Sequence, residues 1–103
     1  YRFAGWDLNV RLRRLTSPQG EPVATTNSEF NLLVAFLSAP QRVLSRDQLL
    51  ELASGRETVL FDRSIDVLIG RLRKRLRDDG KEPSLIKTVR GEGYVLANAS
   101  VVV

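Results

Sequence analysis

Between Arg63 and Arg77 the chain interleaves two stripes at helical spacing, one apolar and one cationic. At about 100° per residue, Ile65, Ile69, Leu72 and Leu76 fall within one narrow arc, while Ser64, Val67, Arg71 and Lys74 project from the opposite one. The segment holds six basic residues (Arg63, Arg71, Arg73, Lys74, Arg75 and Arg77) against the single acid Asp66, a net charge of +5 in a chain of net charge +4. A helix divided in this way packs on one side and offers a directed positive field on the other. The partner such a field selects is a polyanion, with nucleic acid foremost. The competing reading is a solvated face whose cations serve solubility.

Most catalytic chemistry is excluded by what the chain lacks. It contains no cysteine and no histidine, which removes disulfides, thiolate metal sites, the usual general base and the usual metal nitrogen. Asp78 and Asp79 are adjacent carboxylates, but neighbours at a helix end face solvent in the simplest reading, and no acid–base pair suggests itself. No enzyme activity, cofactor or metal is therefore expected. No apolar run approaches the roughly 20 residues of a membrane span, and the start at Tyr1 has neither an initiator methionine nor a signal-peptide layout. The expectation is a soluble, cytoplasmic piece of something longer. With 103 residues, 43% of them apolar, it makes one domain with a modest core.

The elements that must position the basic helix can be read in order. From Tyr1 to about Ala24 the pattern has period two, with Trp6, Leu8, Val10 and Leu12 alternating with Asp7, Asn9 and Arg11. This predicts short antiparallel strands, turned by Ser17 to Gly20 and resumed at Pro22. Thr26 with Glu29 has capping-box spacing, and Phe30, Leu33, Val34 and Leu37 then carry a first amphipathic helix up to the break at Pro40. Ser45 with Gln48 forms a second box, with Leu44 and Leu49 at staple positions, opening a helix towards Gly55. Residues 55–62 have no helical period but hold Val59, Leu60 and Phe61 in a row, a loop whose apolar character suggests docking or local packing. After the basic helix, Asp78, Asp79 and Gly80 supply the stop. The glycines of Arg90, Gly91, Glu92 and Gly93 mark a β-hairpin between Leu85–Val89 and Tyr94–Leu96. A lone G-x-G with no following helix is no dinucleotide site. The tail from Ala99 to Val103 gives no structural signal.

Strands, three helices and a hairpin, with the last helix basic, are the layout of a winged helix-turn-helix. The residues also match a family. The run from Asp62 to Leu76 resembles the recognition helix of the OmpR/PhoB-type effector domains of response regulators. Ile86 to Tyr94 resembles their wing, and Thr26, Glu29, Phe30, Leu32 and Leu33, followed by Leu44 to Leu50, resemble their first two helices. The resemblance implies an α+β fold: a four-stranded N-terminal antiparallel sheet (1–24), a three-helix core (26–77) and a C-terminal hairpin wing (85–97). It also implies double-stranded promoter DNA as partner, a homodimer on tandem half-sites, an N-terminal receiver domain outside these residues, and a cognate histidine kinase. Alternatives are a module that contacts RNA polymerase through the 55–62 loop, and the DNA-binding part of a membrane-anchored or phosphorylation-independent regulator.

Physical chemistry assigns roles within that frame. A helix in the major groove presents small or polar side chains to base edges and cations to flanking phosphates, which Ser64, Val67, Arg71 and Lys74 can do. Arg71 is the first candidate for a base contact, against a phosphate contact or a solvated arginine. Val67 and Leu68 are candidates for a thymine methyl. Arg63, Arg73, Lys74 and Arg75 suit phosphates or intramolecular pairing. Arg46, beside the Ser45 cap, combines a cation with helix N–H groups where a phosphate could sit. In the wing, Thr88 and Arg90 match family positions that reach the minor groove or the backbone, and an arginine gains from a narrow minor groove. Two residues depart from the pattern: Leu68 stands where many members carry histidine, and Gly70 where a larger residue is common. Gly70 costs the helix up to ~1 kcal/mol relative to alanine.

Overall fold

The computed structural model describes residues 1–54, 62–81, 83–97 and 100–102, with the side chains of 54 and 62–64 also outside its scope. The period-two pattern yields four short strands, β1 (Arg2–Phe3), β2 (Trp6–Asn9), β3 (Arg14–Thr16) and β4 (Pro22–Val23), in one antiparallel sheet of order β1-β2-β3-β4. Phe3 pairs with Trp6 and Leu8 with Leu15, and all four side chains are buried. The alternation stops sooner than the sequence suggests. Val10 and Leu12 are exposed in the β2–β3 turn, where the Leu12 amide donates to Asn9 Oδ1 at 2.9 Å and Arg13 takes a left-handed backbone.

Three helices follow, α1 (Asn27–Ser38), α2 (Arg46–Ser54) and α3 (Asp62–Arg75). Both capping boxes form. Glu29 N donates to Thr26 Oγ1 while Thr26 N donates back to Glu29, and Gln48 N donates to Ser45 Oγ while Ser45 N donates to Gln48 Oε1. Each satisfies two of the N–H groups that a helix start leaves orphaned. The apolar arc of α3 is fully inside: Ile65, Ile69, Leu72 and Leu76 pack with Phe30, Leu33, Phe36 and Leu49 in a single core. Burial of this kind is worth about 1.5–3 kcal/mol per side chain, so α3 is held by its packed face more than by its propensity.

The end of α3 differs from the expected stop at Gly80. The Arg77 amide donates to Lys74 O at 3.1 Å and the Asp78 amide to Arg73 O at 2.7 Å, with Arg77 at φ 56°. This is a Schellman closure with arginine in the left-handed position that glycine usually takes. Arg77 is held there by Gln19 Oε1 and by the Trp6 ring, 5.8 Å from its guanidinium carbon. Asp78 also departs from its solvent-facing expectation. It is buried, and its carboxylate accepts from Ser84 N (2.8 Å), Ser84 Oγ (3.2 Å), Leu85 N (3.0 Å) and Ile86 N (3.0 Å). That cluster sets where the wing begins.

The wing is β5 (Ile86–Val89) paired antiparallel with β6 (Gly93–Leu96). Its free edge zips to the α1–α2 link: Gln41 N donates to Leu96 O, and Leu44 and Tyr94 exchange both backbone bonds at 2.8 and 3.0 Å. Gly93 is required at this crossing, because its φ is +145° and a Cβ there would overlap the Leu44 carbonyl. The tail, which carried no signal in the sequence, returns to the first sheet. Arg2 and Val102 exchange backbone bonds at 2.7 and 2.9 Å, which covers part of the β1 edge.

Candidate nucleic-acid interface

The exposed side of α3 is cationic, but its cations divide into two groups. Arg73, Arg75 and Arg77 are spent on the protein itself. Arg73 lies across the wing root, donating from Nε and Nη2 to Ile86 O (3.0 and 2.8 Å) and from Nη2 to Thr88 Oγ1 (3.0 Å), with the Tyr94 ring 5.6 Å away. Arg75 Nε donates to the fully buried Glu29 at 3.0 Å. The intramolecular reading of Arg73 and Arg75 is thus realised, for Arg73 with a carbonyl in place of an acid.

Arg71 and Lys74 point away from the core, exposed, with no hydrogen bond or ion pair among the described residues. Together with Arg75 they line a shallow cavity of about 290 Å³. One turn earlier Val67 is 53% exposed on the same side. Arg63 and Ser64 have helical backbones, and their side chains fall outside the described residues. Leu68 is corrected: at 8% exposure it belongs to the core, so its methyls are not free to meet a base. The 55–62 loop likewise lies outside the described residues as far as Phe61.

At the tip of the wing, Glu92 N closes a turn on Val89 O at 2.9 Å with Gly91 at φ 77°. That turn leaves Arg90 exposed and free of any partner among the described residues. Thr88 is exposed on the strand leading to it, its oxygen accepting from Arg73 while its proton remains available.

Arg46, at the start of α2, is bound to Asp66 of α3, the single acid between Arg63 and Arg77. Its Nε and Nη2 donate to the two oxygens of Asp66 at 3.1 and 3.3 Å, and Asp66 also accepts from the Tyr94 hydroxyl at 2.5 Å. One carboxylate thereby joins α2, α3 and the wing. The Tyr94 hydroxyl, and to a smaller extent the Arg46 guanidinium, hold the Asp66 carboxyl below the usual carboxylate range against the opposing effect of partial burial. Burial, then the contact with Asp66, pushes the Tyr94 phenol up, so it stays a neutral donor. The clue in the sequence was Asp66 itself, the one acid among six cations. Its partners, 20 and 28 residues away, had no local signature.

Comparison with known proteins agrees with the fold. Residues 20–96 match the family model described as transcriptional regulatory protein, C terminal. The regulatory protein VirG of Rhizobium rhizogenes is 56% identical over 94 residues, which are 91% of this chain and 39% of VirG. The chain thus spans about two-fifths of that relative's length. The DNA-binding domain of RstA from Klebsiella pneumoniae, solved in complex with the RstA box, superposes with a TM-score of 0.82 at 35% identity, covering 94% of this chain and 95% of that one. DrrB of Thermotoga maritima, a response regulator described as an OmpR/PhoB homolog, gives 0.82 at 28% identity over 95% of this chain and 44% of its own. By family model, sequence and winged-helix architecture alike, this chain belongs to the OmpR/PhoB-type C-terminal domains of transcriptional regulatory proteins.

Proposed function

We propose that this domain binds double-stranded promoter DNA in a sequence-specific manner, with α3 in the major groove and the wing over the adjacent minor groove or backbone. The observation that carries the reading is the division of the cations. Arg71, Lys74 and Arg90 are exposed and unpaired among the described residues, while Arg73 ties α3 to the wing and Arg75 ties it to α1. Free cations on a rigid frame suit a repeating phosphate lattice. In this reading Ser64, Val67 and Arg71 meet base edges, Arg63, Lys74, Thr88 and Arg90 meet phosphate, sugar or minor groove, and Arg75 stays on Glu29. Arg46 completes the surface at the start of α2. By analogy with the response regulator DrrB, the domain serves as the effector of a cytoplasmic two-component response regulator. A receiver domain phosphorylated by a histidine kinase would promote pairing of two copies on tandem half-sites.

Selection from a randomised duplex pool at fixed, near-physiological salt tests this. Enrichment of two direct half-sites about one helical turn apart is the expected result. About four phosphate contacts per domain give a log–log salt slope of roughly −3.6. Promoter affinity left unchanged by both Arg71→Ala and Arg90→Ala at the same salt would refute the proposed docking.

A further inference from the structure

A carboxylate on the flank of a DNA-facing helix ought to weaken binding, since it repels phosphate and occupies a nearby cation. Asp66 does both, holding Arg46 in a two-oxygen contact with the two side chains 54% and 47% exposed. An ion pair that open to solvent adds little to stability, so what Asp66 gives the fold comes from its bond with the Tyr94 hydroxyl and not from holding Arg46. Its geometry is nevertheless strongly determined. The Tyr94 hydroxyl donates to Oδ1, and Tyr94 is itself fixed by its backbone exchange with Leu44, two residues before Arg46. The crossing closes only because residue 93 lacks a side chain. The acid, its phenol and its arginine are thereby locked at the junction of α2, α3 and the wing.

We propose that Asp66 is a specificity-setting, positioning residue: it aims Arg46 in one direction and keeps it from pairing freely with any phosphate in reach. An unrestrained arginine at the start of α2 would add the same increment of affinity for every sequence, because phosphate contacts carry no base information. Restrained by Asp66, Arg46 meets phosphate only when α3 is seated deeply enough to bring the backbone to it. Arg46 then favours the duplex whose base edges permit that seating. Asp66 thus lowers affinity for arbitrary DNA and raises the ratio between the chosen and the arbitrary sequence.

This inference rests on the DNA-binding reading, and the experiment separates the two. Affinities of the wild-type chain, Asp66→Asn and Tyr94→Phe are measured by fluorescence anisotropy on the duplex enriched from the pool and on an equal-length duplex of scrambled sequence, across a salt series. Asp66→Asn is expected to tighten scrambled binding and steepen its salt slope by about 0.9, the increment of one released phosphate contact. The enriched-to-scrambled ratio is expected to fall about tenfold, equivalent to one charge-assisted hydrogen bond of roughly 1.4 kcal/mol. Tyr94→Phe, which keeps the charges and removes only the hydroxyl, is expected to lower the ratio in the same direction without steepening the slope. A folding defect would weaken both duplexes together, so a proportional loss overturns the proposal, as does a ratio unchanged within twofold. If Asp66→Asn does not fold, Tyr94→Phe decides alone. A wild-type chain without salt-dependent affinity for either duplex would refute the DNA-binding reading itself.

Discussion

Replacing Asp78 by alanine should remove a large part of this domain's stability, although the residue lies in the connection between α3 and β5 and next to an exposed aspartate. Its carboxylate accepts four hydrogen bonds, from Ser84 N, Ser84 Oγ, Leu85 N and Ile86 N, at 2.8 to 3.2 Å. Ser84 is exposed, so water can take over its two donors. Leu85 and Ile86 are buried, and their amides would be left without an acceptor. An unsatisfied buried donor costs about 1–3 kcal/mol, which puts the loss at about 4 kcal/mol. A domain of this size has a total stability of about 5–15 kcal/mol. With a urea slope of about 1–1.5 kcal/mol/M, the unfolding midpoint should fall by about 3 M, or the cooperative transition should vanish. Asp78→Asn is no remedy, because the amide group that replaces one oxygen turns donors towards donors. It should recover less than half of the loss. Asp79→Ala, at the exposed neighbouring position, should stay within about 0.5 kcal/mol of wild type. Urea unfolding followed by circular dichroism measures all three. The reasoning fails if Asp78→Ala costs under about 1 kcal/mol, or no more than Asp79→Ala.

Three other perturbations separate the framework from the binding surface. Gly93→Ala forces a side chain into the Leu44 carbonyl at φ +145°; backbone strain alone should cost about 1–3 kcal/mol, and hydrogen exchange should show the Leu44 and Tyr94 amides losing protection, whereas unchanged protection would contradict the crossing. Arg75→Ala strands the buried Glu29 and should destabilise by about 2 kcal/mol, less than for a fully buried pair because the arginine is partly exposed. Adding Glu29→Gln should restore part of that loss, while Arg71→Ala should weaken DNA binding and leave the urea midpoint in place. The Asp66 carboxyl is held down chiefly by the Tyr94 hydroxyl and then by Arg46. Its contribution is therefore fully present above the unfolded-state pKa of about 3.9 and disappears as pH falls through the lower folded value. The melting-temperature gap between wild type and Tyr94→Phe should be constant from pH 7 to 5 and narrow below about 4; a gap independent of pH would argue against the charged acceptor.

Local patterns were sufficient for what depends on neighbours in sequence. Thr26 with Glu29 and Ser45 with Gln48 are three residues apart, so a capping box is written in the chain before any tertiary contact exists. The apolar arc from Ile65 to Leu76 likewise follows from helical periodicity, and with it the exposed cationic side carrying Val67, Arg71 and Lys74. Leu68 escaped this logic. It sits at the edge of the apolar arc, where only the neighbouring elements decide between core and surface, and they enclose it. The same reason hid the helix stop. Gly80 looked like the terminator, but Gln19 and Trp6, nearly sixty residues upstream or more, support Arg77 in the left-handed conformation instead.

The sequence by itself determined that a cationic helix would be displayed by a small α+β domain, because charge and period are properties of the residues and their spacing. Only the tertiary structure decided which cations remain for a partner. An arginine has the same charge wherever it stands, and whether it is free depends on acceptors brought to it from distant segments: Ile86 and Thr88 for Arg73, Glu29 for Arg75, Asp66 for Arg46. Those acceptors lie 13 to 46 residues away in the chain for none of the reasons that periodicity encodes. They meet their arginines because the apolar arcs of three helices and one face of a sheet close on a common core, and that closure fixes the wing against α3 and leaves Arg71, Lys74 and Arg90 exposed.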